Sequence, residues 1–208
     1  TFSQPEYVFI SPGFLKTLDK RQIYAGWAEM IKHGLIGSTA HLEHLLELNP
    51  EDAKDQTLSN LIYESVRIKN HFVQNDPYEK NVRKALNFGH TFGHAFESLA
   101  LATSQTLLHG EAVANGMICE LFLSSLYYTL DQGLIGEITS YIRERYPRVV
   151  IDLNDQEKVN QYLLQDKKNE GERINFTLIR EAGQPVIDHY VGASEISKAL
   201  DFYIQSSG

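Results

Sequence analysis

The chain has 208 residues, of which 42% are apolar and 22% charged, enough to bury a substantial core without cross-links. Its net charge of -8 lacks the basic footprint of a nucleic-acid binder, and no apolar run is long enough to span a bilayer, so neither partner is expected. Cys119 is the only cysteine, which excludes an internal disulfide and a multi-thiolate metal site and fits a reducing, cytoplasmic setting.

The chain opens on Thr1 rather than Met, from which we expect a piece of a longer protein or a processed product. Tyr7-Val-Phe-Ile10 is a short β-prone run closed by the turn signal Ser11-Pro12-Gly13. A brief helical turn follows at Phe14, Leu15 and Leu18. From about Asp19 to Ile36, apolar residues (Ile23, Trp27, Met30, Ile31, Leu35) recur every three to four positions, the period of an amphipathic helix, which also holds Glu29 and Lys32 on one side. Further helices are predicted over Ala40–Leu48 and Leu58–Phe72, the second broken by Asn75-Asp76-Pro77. Tyr78–Ala85 is polar with helical potential, and the stretch around His90 reads as helix to about Leu101.

A Thr/Ser-rich connection leads to Glu111–Leu130, apolar on most sides and therefore expected at the centre of a bundle. Another helix ends near Pro147, and Asp155–Gln165 is helical. Alternation over Ile174–Arg180 and Val186–Val191, joined through Gly183-Gln184-Pro185, predicts a small hairpin. Ser194 is the predicted cap of a last helix to about Ile204. The whole reads as one mainly α domain over 1–208, with about eight helices and a small hairpin. It lacks the strand–helix alternation of a doubly wound sheet and any G-x-G-x-x-G phosphate loop.

The chemistry-bearing stretch is Leu86-Asn-Phe-Gly-His-Thr-Phe-Gly-His-Ala-Phe-Glu97. His90 and His94 are four apart and share a helical face, while Gly89 and Gly93 suit a close approach to a neighbour or ligand. With Glu29 and His109 they form a candidate His/carboxylate set for a metal such as zinc. Two histidines at this spacing also occur as satisfied core residues or a solvated pair; the flanking glycines and a third His at a helix start favour a site. Lys32, Lys69, Arg83, Lys167 and Lys168 are candidate anion partners, each in isolation an ordinary solvated charge. Arg83, four before Asn87, could bind a carboxylate or phosphate bidentately. Glu79, four before Arg83, is either its ion-pair partner or a proton-transfer carboxylate.

Five ordered blocks then resemble 3-dehydroquinate synthase: Ala28-Glu-Met-Ile-Lys32; Asp76 with Glu79 and Arg83; the stretch from Leu86 to Glu97; His109-Gly-Glu-Ala-Val-Ala114; and Asp166-Lys-Lys168. The resemblance covers the C-terminal, helical half of that family, without the N-terminal half that supplies most of the NAD site. It implies conversion of 3-deoxy-D-arabino-heptulosonate 7-phosphate to 3-dehydroquinate and phosphate in the shikimate pathway. The cofactors it implies are catalytic NAD and a divalent metal, usually Zn2+, with Co2+ also able to serve. The implied metal ligands are Glu29, His90 and His109. Lys69 and Arg83 would hold the substrate carboxylate, Lys32 the hydroxyls near the metal, and Asn87, His94 and Lys167 (in preference to Lys168) the phosphate. Glu79 and His94 match proton acceptors. His94 thus leaves the metal set and takes a role of its own.

The departures, His33 where an aromatic is common and Pro77-Tyr78 in place of a more polar pair, touch no matched position. The resemblance implies a homodimer for a full-length protein and no turnover by this chain alone. A related sugar-phosphate cyclase, a metal-dependent polyol dehydrogenase and a non-enzymatic helical metal-binding module are the alternatives. Keeping both Lys69 and Arg83 suits a substrate that carries a carboxylate.

Overall fold

The run from His109 to Tyr127 places apolar or small residues on every side, and such a helix is stable only inside a protein. In the computed structural model, which describes residues 5–165 and 173–206, it is the hub. The elements in order are α1 (Lys20–Gly37), α2 (Thr39–Leu46), α3 (Asp55–Asn75), α4 (His90–Ala102), α5 (His109–Tyr127), α6 (Gln132–Arg145), α7 (Leu153–Leu164), β1 (Ile174–Ile179), β2 (Pro185–Val191) and α8 (Ala193–Gln205). Every residue of α5 from Gly110 to Leu121 is buried, and α1, α4, α6, α8 and β1 pack around it. The expectation of eight helices around a central apolar one, with a small hairpin, holds among the described residues.

The seam that carries His90 joins α4 to α5. Gly89 has φ +80°, the left-handed region that glycine enters without a Cβ penalty, and it turns the chain into α4. Opposite it, a Cβ on Gly116 would overlap the Gly89 carbonyl, so glycine is what lets α5 approach the start of α4. Phe92, Phe96, Met117 and Leu121 fill the same interface and are fully buried. Asn115, which the sequence left without a role, is a buried tie. Its Nδ2 donates to the Glu111 and Pro147 carbonyls at 2.7 and 3.0 Å, and its Oδ1 accepts from Tyr203 Oη at 2.8 Å.

The hairpin is antiparallel, pairing Ile174 with Val191 and Leu178 with Val186, with an irregularity between Phe176 and Leu178. Its inner face packs on the helices: Phe176 lies 5.4 Å from Phe92, and the Ile179 N–H donates to Ser124 Oγ at 3.0 Å. Thr177 Oγ1 donates to the Lys84 carbonyl at 2.9 Å, which docks the segment ahead of α4 onto the hairpin.

Three local expectations are corrected. Residues 7–10 form no strand. Phe9 is 94% exposed, and β-prone side chains without a partner strand make no ladder. The polar run from Tyr78 to Ala85 is no α-helix. Buried Asp76 accepts the N–H groups of Lys80, Asn81 and Arg83 and folds the chain into a turn, after which Val82–Asn87 is a 3-10 helix. Ser194 does not cap α8, whose N-cap is Gly192, so Ser194 lies within the first turn. Elsewhere capping follows the sequence, with Asp19, Ser38 and Asp131 accepting backbone N–H groups at the starts of α1, α2 and α6.

Candidate metal and anion site

Glu29 projects from α1, while His90 and His109 are the first residues of α4 and α5. Packing of α1 and α4 on α5 brings the three together, and their ligand atoms all lie within 4.8 Å of one another. Glu29 Oε1 is 3.7 Å from His90 Nε2 and 3.9 Å from His109 Nε2. Tetrahedral zinc with bonds of about 2.0–2.1 Å needs ligands roughly 3.4 Å apart, so small side-chain adjustments close the set. Glu29 Oε1 is buried and makes no hydrogen bond, an arrangement that is costly unless a cation satisfies the oxygen.

The tautomers suit the same purpose. His90 Nδ1 lies 3.2 Å from the Phe88 carbonyl, which can only accept, so Nδ1 carries the proton and Nε2 keeps its lone pair. Burial, assisted by the Lys32 ammonium, pushes the His90 pKa down to about 4, so the ring is neutral near pH 7. For Glu29, burial opposes ionisation. The Lys32 and His90 charges outweigh it and hold the carboxyl at about 2. The cradle therefore offers one carboxylate and two imidazoles to a divalent cation, with a side open to solvent at the half-exposed His109.

The other expected site residues fall into two groups. Lys32 is buried, and its Nζ donates to Glu29 Oε2 at 2.7 Å, directly beside the cradle. Lys69 is exposed on α3. His94 is exposed one turn beyond His90, its ring 5.6 Å from His90 and 6.0 Å from His109. Arg83 and Asn87 lie on the 3-10 helix ahead of α4, not on one continuous face with His90. Arg83 Nη1 donates to the Pro77 carbonyl at 2.8 Å, and Asn87 Nδ2 donates to Glu79 Oε1 at 2.8 Å. Glu79 has φ +55°, uncommon for a side chain of its size, at the turn that Asp76 anchors. Lys167 and Lys168 lie outside the described residues.

Sequence reading passed over the residues that hold the ligands. Glu120 of α5 is fully buried and accepts the N–H groups of Gly89, Thr91 and Phe92 at 2.6, 3.1 and 3.3 Å. It thereby supplies the capping group that Gly89 cannot, and fixes the backbone on both sides of His90. Glu111 does the same for His109. It accepts the Leu108 N–H at 2.7 Å and pairs with Arg21 of α1, whose Nη2 is 2.6 Å away, so the ligand helices α1 and α5 are tied together. The contacts that tie Glu120 to α4 and Glu111 to α1 gave no signal, because those partners lie far off in the chain.

Fold and cradle together define a helical domain in which one carboxylate and two imidazoles converge beside a buried lysine. The chain matches the family described as 3-dehydroquinate synthase C-terminal over residues 26–169. It is 41% identical over 208 residues to the 3-dehydroquinate synthase of Parabacteroides distasonis, covering all of this chain and 59% of that protein. It is 39% identical over 204 residues to that of Thermoanaerobacter pseudethanolicus, covering 96% of this chain and 56% of that protein. The chain belongs to the 3-dehydroquinate synthase family and spans rather more than half the length of these relatives.

Among solved structures, the 2-epi-5-epi-valiolone synthase ValA of Streptomyces hygroscopicus, with NAD+ and Zn2+ bound, shares the fold. Its TM-score is 0.79 at 24% identity, over 94% of this chain and 55% of that one. A 2-deoxy-scyllo-inosose synthase complexed with carbaglucose-6-phosphate, NAD+ and Co2+ matches at a TM-score of 0.74 and 21% identity, over 88% of this chain and 53% of that one. No helix among the described residues is long and apolar enough to cross a membrane.

Proposed function

We propose that this chain is the metal- and substrate-carrying part of a 3-dehydroquinate synthase, which converts 3-deoxy-D-arabino-heptulosonate 7-phosphate to 3-dehydroquinate and phosphate. The observation that carries the proposal is the Glu29–His90–His109 cradle. It has a buried, unpartnered carboxylate oxygen and Lys32 alongside, and it sits in a chain of this family. A divalent metal there, zinc or cobalt, would polarise a secondary alcohol for hydride transfer to NAD, itself bound mainly by protein beyond this chain.

The chain's own residues do the rest. Lys32 orients the ligand carboxylate and reaches the substrate hydroxyls. Lys69 and Arg83 take the substrate carboxylate, with the Arg83 guanidinium exchanging the Pro77 carbonyl for a charged partner. Asn87, His94 and Lys167 bind the phosphate, and Glu79 and His94 accept protons during elimination. Together Lys32, Lys69, Arg83 and Lys167 hold a substrate that carries a carboxylate and a phosphate, and they stabilise the charge that develops as phosphate leaves.

The metal assignment is tested by titrating zinc into the protein and into the His90→Ala, His109→Ala and His94→Ala variants. We expect loss of stoichiometric zinc in the first two and its retention in the third. Full stoichiometry in both of the first two overturns the ligand set. The reaction is tested with the protein completed by a nucleotide-binding half. Phosphate release without net NADH supports the synthase, whereas stoichiometric NADH without phosphate identifies a polyol dehydrogenase.

A further inference from the structure

The stretch that carries His90 and His94 ends on Glu97, and the proposed chemistry leaves that carboxylate without a task. Positions 90, 94 and 97 are spaced i, i+4 and i+7, so the three side chains line one face of α4. His109, at the start of α5, stands against that face, its ring 5.2 Å from His90 and 6.0 Å from His94. Glu97 Oε1 lies 3.2 Å from His109 Nδ1. A carboxylate oxygen only accepts, so the proton of this contact sits on Nδ1. Nε2 is then the nitrogen that keeps a lone pair, and Nε2 is the atom facing Glu29 Oε1 at 3.9 Å.

The two imidazoles of the cradle need different help. The His90 side chain is 14% exposed, wedged at the buried start of α4, and its tautomer is set by a backbone carbonyl. The His109 side chain is 51% exposed, so packing alone fixes neither its rotamer nor its tautomer. Glu97 is the group that contacts its far nitrogen. A carboxylate behind a metal-ligating imidazole fixes ring orientation and raises the basicity of the ligating nitrogen.

We infer that Glu97 is a positioning residue for the metal ligand His109, locking the proton on Nδ1 and aiming Nε2 at the metal. This rests on the reading of Glu29, His90 and His109 as the ligand set. The competing explanation is a solvated ion pair on the rim that touches neither tautomer nor metal.

The test measures zinc affinity by competition with a chelator, and the visible spectrum of the cobalt-loaded protein. The proteins compared are the parent, Glu97→Ala, Glu97→Gln and His109→Ala. Glu97→Ala should weaken zinc about 10- to 100-fold and shift the cobalt bands. Glu97→Gln is nearly isosteric and its amide oxygen still accepts from Nδ1, so it should retain the band positions and lose less affinity. Zinc affinity in Glu97→Ala within twofold of the parent, with an unchanged cobalt spectrum, overturns the inference even if the melting temperature falls. Parent-like zinc binding by His109→Ala is a different failure, because it removes the ligand reading itself.

Discussion

The seam between α4 and α5 is closed by groups that water does not reach, whereas the segment from Asp76 to Asn87 and the hairpin beside it are joined by side chains that remain partly wet. At the seam, a fully buried Glu120 receives three backbone N–H groups, and glycines at 89 and 116 bring the two backbones into contact. In the second region Arg83 binds a carbonyl of its own turn, Asn87 binds Glu79, and Lys84 binds Asp188. The first arrangement fixes the backbone on both sides of His90 before any ligand arrives. The second satisfies polar groups with partners that an incoming anion can replace. A metal cradle benefits from rigidity, since ligand separations of a few tenths of an ångström decide affinity. An anion site of the kind proposed, taking up and releasing a phosphorylated sugar, would benefit from exchangeable partners.

The sharpest way to break this comparison is at Glu120. Glu120→Ala leaves three N–H donors at the start of α4 without their acceptor inside a closed seam, and we expect a loss of about 4 kcal/mol in urea unfolding. Glu120→Gln keeps an acceptor oxygen but turns an amide NH2 toward the donors, so about half that loss is expected. A loss below about 1 kcal/mol in the alanine variant would show that the seam is held by apolar packing and that the carboxylate is incidental.

Glu120 also shows where sequence reading stopped. Helices α1 to α8 are visible as apolar periods, and the hub is visible because α5 is apolar all round. The proposed metal ligands come from the resemblance of local blocks, each short and ordered along the chain. Glu97, Glu120 and the pairing of Glu111 with Arg21 act through contacts that form only when helices pack, across 12 residues from Glu97 to His109, 31 from Glu120 to Gly89 and 90 from Glu111 to Arg21. Helical spacing of Glu97 with His90 and His94 was the one signal available for these three. The misread strand at residues 7–10 and the misplaced cap at Ser194 have the complementary cause. Local propensity was satisfied in sequence, but the partner strand and the helix start were set elsewhere.

A second probe lies on the rigid side, between α1 and α3. His33 is buried, its Nδ1 2.6 Å from Ser65 Oγ, and its Nε2 has no hydrogen-bond partner. Burial, with the Lys32 charge adding to it against the weaker pull of Glu29, lowers its pKa from 6.5 to about 3; the charges of Lys69 and His41 act in the same direction. The unfolded chain therefore takes up this proton at higher pH than the folded one. Stability from the neutral ring is complete above the unfolded value and drains away as pH falls toward about 3. Between about pH 6 and about pH 4.5 this one group should cost about 2 kcal/mol. His33→Phe should flatten that part of the stability profile, measured by urea titration across the pH series. An unchanged slope would mean that the ring is protonated in the native state.

The smallest effect is expected at a partly exposed ion pair on the hairpin side. Lys84 Nζ sits 2.8 Å from both carboxylate oxygens of Asp188, and Asn175 Nδ2 donates to Asp188 Oδ1 at 2.9 Å. Lys84 is 28% and Asp188 37% exposed at the side chain, so solvent screens the pair. A double-mutant cycle with Lys84→Ala and Asp188→Ala should give a coupling of about 0.5 kcal/mol that shrinks in high salt. Asp188 also holds φ +53° at the irregular point of the hairpin, a conformation aspartate tolerates better than alanine, so its single variant reports a backbone cost together with the lost pair, and only the cycle separates them. A coupling above about 2 kcal/mol, insensitive to salt, would place this pair in the same structural class as the Glu120 seam. It would also mean that the hairpin side of the molecule is as rigid as the cradle, so that an anion would have to enter a preformed site and not displace exchangeable partners.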